Sequence, residues 1–211
     1  MSPAARRFAR FGCLLAVACA EPTVPRRVPS YGFTDGNGNV FHWPADRLPV
    51  RFYVDPRGGL RELLKSAVQS WERQFLYAEF RGILVDDSSA ADVIVRWADS
   101  VPPRAEPDPG PPVTACGGLT QGFVDSAAFT GPIETRLSVF SATAYTPGQV
   151  WACLQRTTTH EVGHTLGLLQ HSPDGRDVMA ATPAVREPSS GDRQTIEVLY
   201  HTAPTIGPPP R

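Results

Sequence analysis

Residues 160–171 read HEVGHTLGLLQH, from His160 to His171. On a helix, positions i and i+4 share one face, so His160 and His164 can offer two imidazole nitrogens to a single metal ion. Zinc takes such nitrogens at about 2.0–2.1 Å, and a catalytic zinc site keeps one position open. Glu161, directly after the first histidine, stands where a general base would reach that position. Gly167 follows His164 by three residues, where a helix can end through the left-handed conformation that glycine tolerates. Past such a turn the chain can swing a third ligand back. His171 is the first choice and Asp174 and Asp177 are rivals. Gln170 is the weakest, because a neutral amide oxygen suits zinc poorly beside imidazoles. The plain alternative is a surface helix with two histidines and a solvated glutamate. Val162, Leu166 and Leu169, which can face a core, speak against it.

Working outward, Val150 to Leu169 reads as the helix that carries this motif, and Asp192 to His201 as a closing helix with Ile196, Leu199 and Tyr200 on one face. Upstream, Leu60, Leu63, Leu64, Ala67, Val68, Trp71 and Phe75 repeat at helical spacing and predict one apolar face. Strands are expected at Leu48 to Val54, Phe80 to Val85, Ala91 to Trp97, Leu119 to Val124 and Ile133 to Ser141. The order of elements makes the fold α+β or mixed α/β. YGFTDGNGNVFHW, residues 31–43, reads as a hairpin around an Asp-Gly-Asn-Gly-Asn turn. It also partly matches a calcium loop, but Val40 replaces the glycine and Asp46 the bidentate glutamate, so calcium is not indicated.

The chain has 211 residues, a net charge of −1 and 41% hydrophobic residues, enough for one domain with a normal core. No basic cluster follows the leader, which argues against nucleic acid as a partner. The 22 prolines gather at 22–29, 102–112 and 204–210 and read as loops or linkers. Residues 1–18 read as an export signal, with Arg6, Arg7 and Arg10 ahead of a short apolar run. Leu15 to Cys19 resembles a bacterial lipobox, in which Cys19 would carry a lipid anchor; plain secretion is the other reading. The expected localisation is therefore outside the cytoplasm, secreted or anchored in the envelope. Two cysteines remain in the body of the chain. In an exported protein Cys116 and Cys153 read as a disulfide worth roughly 3–4 kcal/mol. The alternative is Cys116 as a fourth zinc ligand that holds the protein latent. The expected layout is a linker and hairpin over 19–45, a catalytic domain over 46–203 and a proline-rich tail over 204–211.

HEVGHTLGLLQHSPDGRDVM, residues 160–179, resembles the metzincin clan of zinc endopeptidases, most of all the matrixin branch and its bacterial relatives. There the third histidine is followed by Ser and then by a Met-turn; His171-Ser172 and Asp177-Val178-Met179 fill those places. SSGDRQTIEVLY resembles the last matrixin helix. The resemblance spans roughly residues 46–201 and is specific only in the last part. It implies a twisted, mainly parallel five-stranded sheet with about three helices. It also implies one catalytic Zn2+ on His160, His164 and His171, and Met179 as a hydrophobic base under the metal. A monomer acting on peptide or protein substrate is expected, with the substrate extended along an edge strand near Leu119 to Phe123. The third histidine comes one residue late, which an inserted loop residue accommodates. Ala180 follows the Met where matrixins often have Tyr and Pro, and no propeptide with a cysteine switch is recognisable. A non-catalytic, zinc-stabilised envelope module is the competing reading. The intact Glu161 argues against it, since a structural site needs no base.

Overall fold

A computed structural model describes residues 27–98, 101–140 and 144–211. The expected export signal over residues 1–18 and Cys19 lie outside the described residues. Strand β1 (Val50–Val54), helix α1 (Leu60–Glu72), β2 (Gly82–Val85) and β3 (Val93–Trp97) come first. They are followed by β4 (Cys116–Gln121), a short pair β5 (Val124–Asp125) and β6 (Ala128–Phe129), β7 (Ile133–Val139), and helices α2 (Pro147–Thr165) and α3 (Ser190–Tyr200). The fold is mixed α/β, with a mostly parallel five-stranded sheet and three helices. Strand order is β2-β1-β3-β7-β4, and only β4 runs antiparallel to its neighbour. β4 therefore closes one edge of the sheet.

Burial follows the sequence pattern. Leu60, Leu63, Leu64, Ala67, Val68 and Trp71 of α1 are all buried, as the 3.6-residue repeat requires. β1 alternates, with Val50, Phe52 and Val54 inside, while β3 lies deeper in the sheet and buries Val93, Ile94 and Val95 together. Both α1 and α2 contribute to one core, and the indole of Trp71 donates to the Thr159 carbonyl at 2.7 Å, tying the two helices together. Among the described residues no helix is long and apolar enough to cross a membrane.

Four expectations change. Residues 31–43 form no strands: a turn closes from Asp35 N–H to the Asn39 carbonyl at 3.1 Å, and Asp35 also accepts from Asn37 and Asn39. The aromatic flanks do not pair because the core takes them; Phe41 and Trp43 are fully buried. β4 starts at Cys116 rather than Leu119, since the CGGLTQ stretch pairs from Cys116↔Val139 to Gln121↔Glu134 without any apolar alternation to reveal it. Two short strands, β5 and β6, lie between β4 and β7 where none was expected. Finally, the proline-rich stretches are not merely linkers. Ile206 belongs to the core, the Trp151 indole donates to the Pro103 carbonyl at 2.6 Å, and Gly207 bridges Ala128.

Candidate metal centre

Helix α2 is built to end at the histidines. Thr146 and Gln149 form a capping box at its start, with Pro147 in the first turn. At its other end Gly167 takes φ +104°. Leu168 N–H then bonds to the Gly163 carbonyl at 3.2 Å and Gly167 N–H to the His164 carbonyl at 3.1 Å, the double closure of a glycine-terminated helix. A side chain at Gly167 would also collide with the Phe41 carbonyl. The turn does two things at once. It sends residues 168–171 back over the helix, and it aims the Leu168 carbonyl at His164 Nδ1, 2.6 Å away.

His160, His164 and His171 converge, each offering one nitrogen, with these atoms all within 4.8 Å of one another. His164 Nε2 lies 3.1 Å from His160 Nε2 and 3.3 Å from His171 Nε2. His160 Nδ1 faces the Val178 carbonyl at 2.8 Å. Because a carbonyl can only accept, the Nδ1 atoms of His160 and His164 carry the protons and both Nε2 atoms present lone pairs. Burial holds His160 down to about 4; the Val178 carbonyl pulls the other way and His171 adds to the lowering. Burial likewise holds His164 down to about 3, with His160 adding to it. Neutral imidazoles with facing lone pairs repel one another unless a cation sits between them. Two nitrogens at 2.0–2.1 Å from a tetrahedral ion lie about 3.3 Å apart, which is the spacing found. The donor set fits a zinc ion.

The rival ligands are engaged elsewhere. Gln170 donates to the Thr34 carbonyl at 2.8 Å, so it turns toward the N-terminal segment. Gln170 thereby anchors the loop ahead of His171 to that segment. Asp174 pairs with Arg176, whose guanidinium holds its carboxyl down at about 2. Asp177 is buried and accepts from Ser172 and Ser189 hydroxyls. Cys116 Sγ and Cys153 Sγ are 2.12 Å apart. That bond makes Cys116 unavailable as a fourth ligand and staples the start of β4 to α2. His42 and His201 bond to the Thr202 and Glu197 carbonyls and stand apart from the cluster.

Met179 is fully buried, its sulfur packed where a side chain on Gly163 would be. It thus packs against α2 at Gly163, within the turn that carries the two histidines. The turn that carries it is held by Asp192. That carboxyl, also fully buried, accepts from Val178 N at 2.8 Å, Met179 N at 3.3 Å, Ser189 N at 2.8 Å and Tyr31 Oη at 2.7 Å. Val178 in turn offers its carbonyl to His160. A path of hydrogen bonds therefore runs from Tyr31 through Asp192 to the first histidine, the kind of outer support that orients metal ligands.

Glu161 is buried on the same helix, and burial pushes its carboxyl up to about 7 against the opposing Thr120 hydrogen bond. Its Oε2 accepts from Thr120 Oγ1 at 2.6 Å, and Thr120 lies 2.9 Å from Thr135 Oγ1. Gly118, two residues earlier on the same face of β4, leaves room for the side chain: a Cβ there would come within 2.5 Å of Glu161 Cγ and Oε1. Gly118 and Thr120 were not legible as site residues, because only the register of β4 against α2 brings them to Glu161. Histidines, Glu161 and β4 together line a cleft of about 670 Å3 that also takes in the Cys116–Cys153 pair and Ala181 to Pro183. No family model matches this chain, and no curated protein sequence matches it.

Proposed function

We propose that the chain is a zinc-dependent endopeptidase of the metzincin type, close to the matrixins, that hydrolyses peptide bonds of extracellular or envelope proteins. One observation carries the reading: three histidine nitrogens converge beside the buried carboxyl of Glu161 at the bottom of an open cleft. The sequence resemblance over residues 160–179 supports it. His160, His164 and His171 would hold the ion, leaving a position open to the cleft. When bound, zinc would polarise the scissile carbonyl and lower the pKa of a water molecule.

The chain's own groups do the rest. Glu161 takes the proton of the attacking water and delivers it to the leaving amine. Thr120 holds Oε2, which leaves Oε1 to face the reacting atoms. β4 is an edge strand next to the cleft, so a substrate in extended form can pair with its free backbone groups. Leu119 and Phe123, both exposed, would flank it. No tyrosine stands directly after Met179, so stabilisation of the developing oxyanion would fall to the ion and backbone donors. The paired cysteines agree with an exported chain, and one catalytic zinc suffices.

The test is digestion of a proteome-derived peptide library by purified, zinc-loaded protein. Cleavage that stops with a chelator and returns with zinc supports the proposal. A correctly oxidised, zinc-loaded sample that cleaves nothing overturns it in favour of a binding module.

A further inference from the structure

Arg156 lies one helical turn before His160, on the same face of α2 and about 6 Å along the axis. Only 3% of it is exposed, yet it lines the same cleft as His160 and Glu161. Among the described residues its guanidinium makes a single hydrogen bond, from Nη2 to the Val113 carbonyl at 3.3 Å. Among the described residues it forms no ion pair. A second cation stands near it: Arg186, whose Nη2 donates to the Asp108 carbonyl at 2.8 Å. Arg186 likewise has no carboxylate partner among the described residues. Burial, and then the neighbouring Arg186, lower the Arg156 pKa, so the protein bears a cost for keeping this charge where it is.

A buried guanidinium without an anion is costly, and five donors in a planar fork suit a carboxylate in two-point contact. The cleft that it lines also takes in Val113, Thr114, Thr157, Ala181 and Pro183. The carboxyl groups that line that cleft, Asp35 and Glu161, form no ion pair with it among the described residues. We infer that Arg156 is a specificity-determining residue that receives a substrate carboxylate on the leaving-group side of the scissile bond. The carboxylate is that of a Glu or Asp side chain just after the cleaved bond, or the terminal carboxylate of a short substrate. This rests on the peptidase reading above and names the substrate class for it. Arg156 binds and does not take part in bond making, which is left to Glu161 and the ion that His160, His164 and His171 would hold.

The experiment uses matched peptides that differ only in Glu or Gln after the cleaved bond, each with an amidated and a free C-terminus. Zinc-loaded protein should cleave the amidated Glu peptide at least about tenfold faster in kcat/KM than the Gln peptide. Arg156→Met should bring that ratio close to one while still cleaving the Gln peptide, and Arg156→Lys should keep part of the preference. A ratio near one in the unsubstituted protein, with no gain from a free C-terminus, overturns the inference and needs no variant to fold. So does a ratio that Arg156→Met leaves unchanged. A gain only from the free C-terminus assigns the carboxylate to the chain end. Binding of the same peptides, followed by fluorescence anisotropy, separates this from the catalytic proposal. Tighter binding of the Glu peptide, lost in Arg156→Met, keeps the inference even if no bond is cleaved; equal binding without cleavage sinks both.

Discussion

Replacing Asp192 with Ala tests how the metal centre is held from behind. Its two oxygens satisfy four buried or part-buried donors: Val178 N, Met179 N, Ser189 N and the Tyr31 hydroxyl. Alanine removes both acceptor oxygens and leaves these donors without that partner. At about 1–3 kcal/mol for each buried group left unpaired, and with partial relaxation, the loss is on the order of 4 kcal/mol. That is a large part of the roughly 5–15 kcal/mol that stabilises an ordinary domain. In thermal unfolding the midpoint should drop by about 8–16 °C, at roughly 2–4 °C per kcal/mol for a chain of this size. Tyr31→Phe removes one donor and keeps the other three bonds, so it should cost about 1 kcal/mol. Because Val178 also orients His160, the Ala variant should bind zinc about 10–100-fold more weakly. Urea unfolding and a zinc titration read both quantities on the same samples. An Asp192→Ala protein within 1 kcal/mol of the original, with unchanged zinc affinity, would refute the chain of support from Tyr31 to His160.

Asp92 makes the pH dependence of stability predictable. Burial raises its pKa, but hydrogen bonds from Arg51 and Arg211 outweigh this and leave it lowered. A folded value below the unfolded one, about 3.9, means that the contribution is complete above the unfolded value and fades as pH falls through the folded value. Asp92→Asn should therefore be less stable at pH 7 and lose less than the original protein on acidification below about pH 4; parallel curves in denaturant titrations at several pH values would contradict this. Gly118→Ala puts a Cβ 2.5 Å from Glu161 Cγ and Oε1 and must push the carboxyl aside. Turnover should fall on the order of 100-fold while zinc stays bound, and normal turnover would show that Glu161 does not work from this seat. His171→Ala should weaken zinc binding by more than about 100-fold, beyond the loss from an outer-shell change, and Asp174→Ala should leave it unchanged. The reverse pattern in a zinc titration would reassign the third ligand.

The parts of the fold that the sequence made legible are those with a period. α1 shows its apolar face every third or fourth residue, α3 sets Ile196, Leu199 and Tyr200 on one face, and α2 is marked by its histidine spacing and the Gly167 stop. β1 and β3 stand out as short β-branched or aromatic runs. The helical histidines were legible because i and i+4 spacing translates directly into a shared face. His171 was legible as a candidate through Gly167, but its choice over Asp174 and Asp177 depended on what those acids pair with, which spacing cannot say. β4 was placed late because glycines and polar residues at a sheet edge show no alternation. Its roles at Gly118 and Thr120 come from register, a long-range property. The stretch from Tyr31 to Trp43 resembled a hairpin locally, yet burying Phe41 and Trp43 outweighed pairing them. Arg156 gave no sign in the sequence, since an arginine on a helix is usually solvated, and only its burial in the cleft marks it.

The most direct test compares the original protein with Glu161→Ala side by side, measuring zinc content and cleavage of an unfolded protein substrate in the same samples. Both should hold about one equivalent of zinc, and only the original should cleave. Equal cleavage by the two would contradict the role of Glu161, and failure of the oxidised original to bind zinc would contradict the site itself.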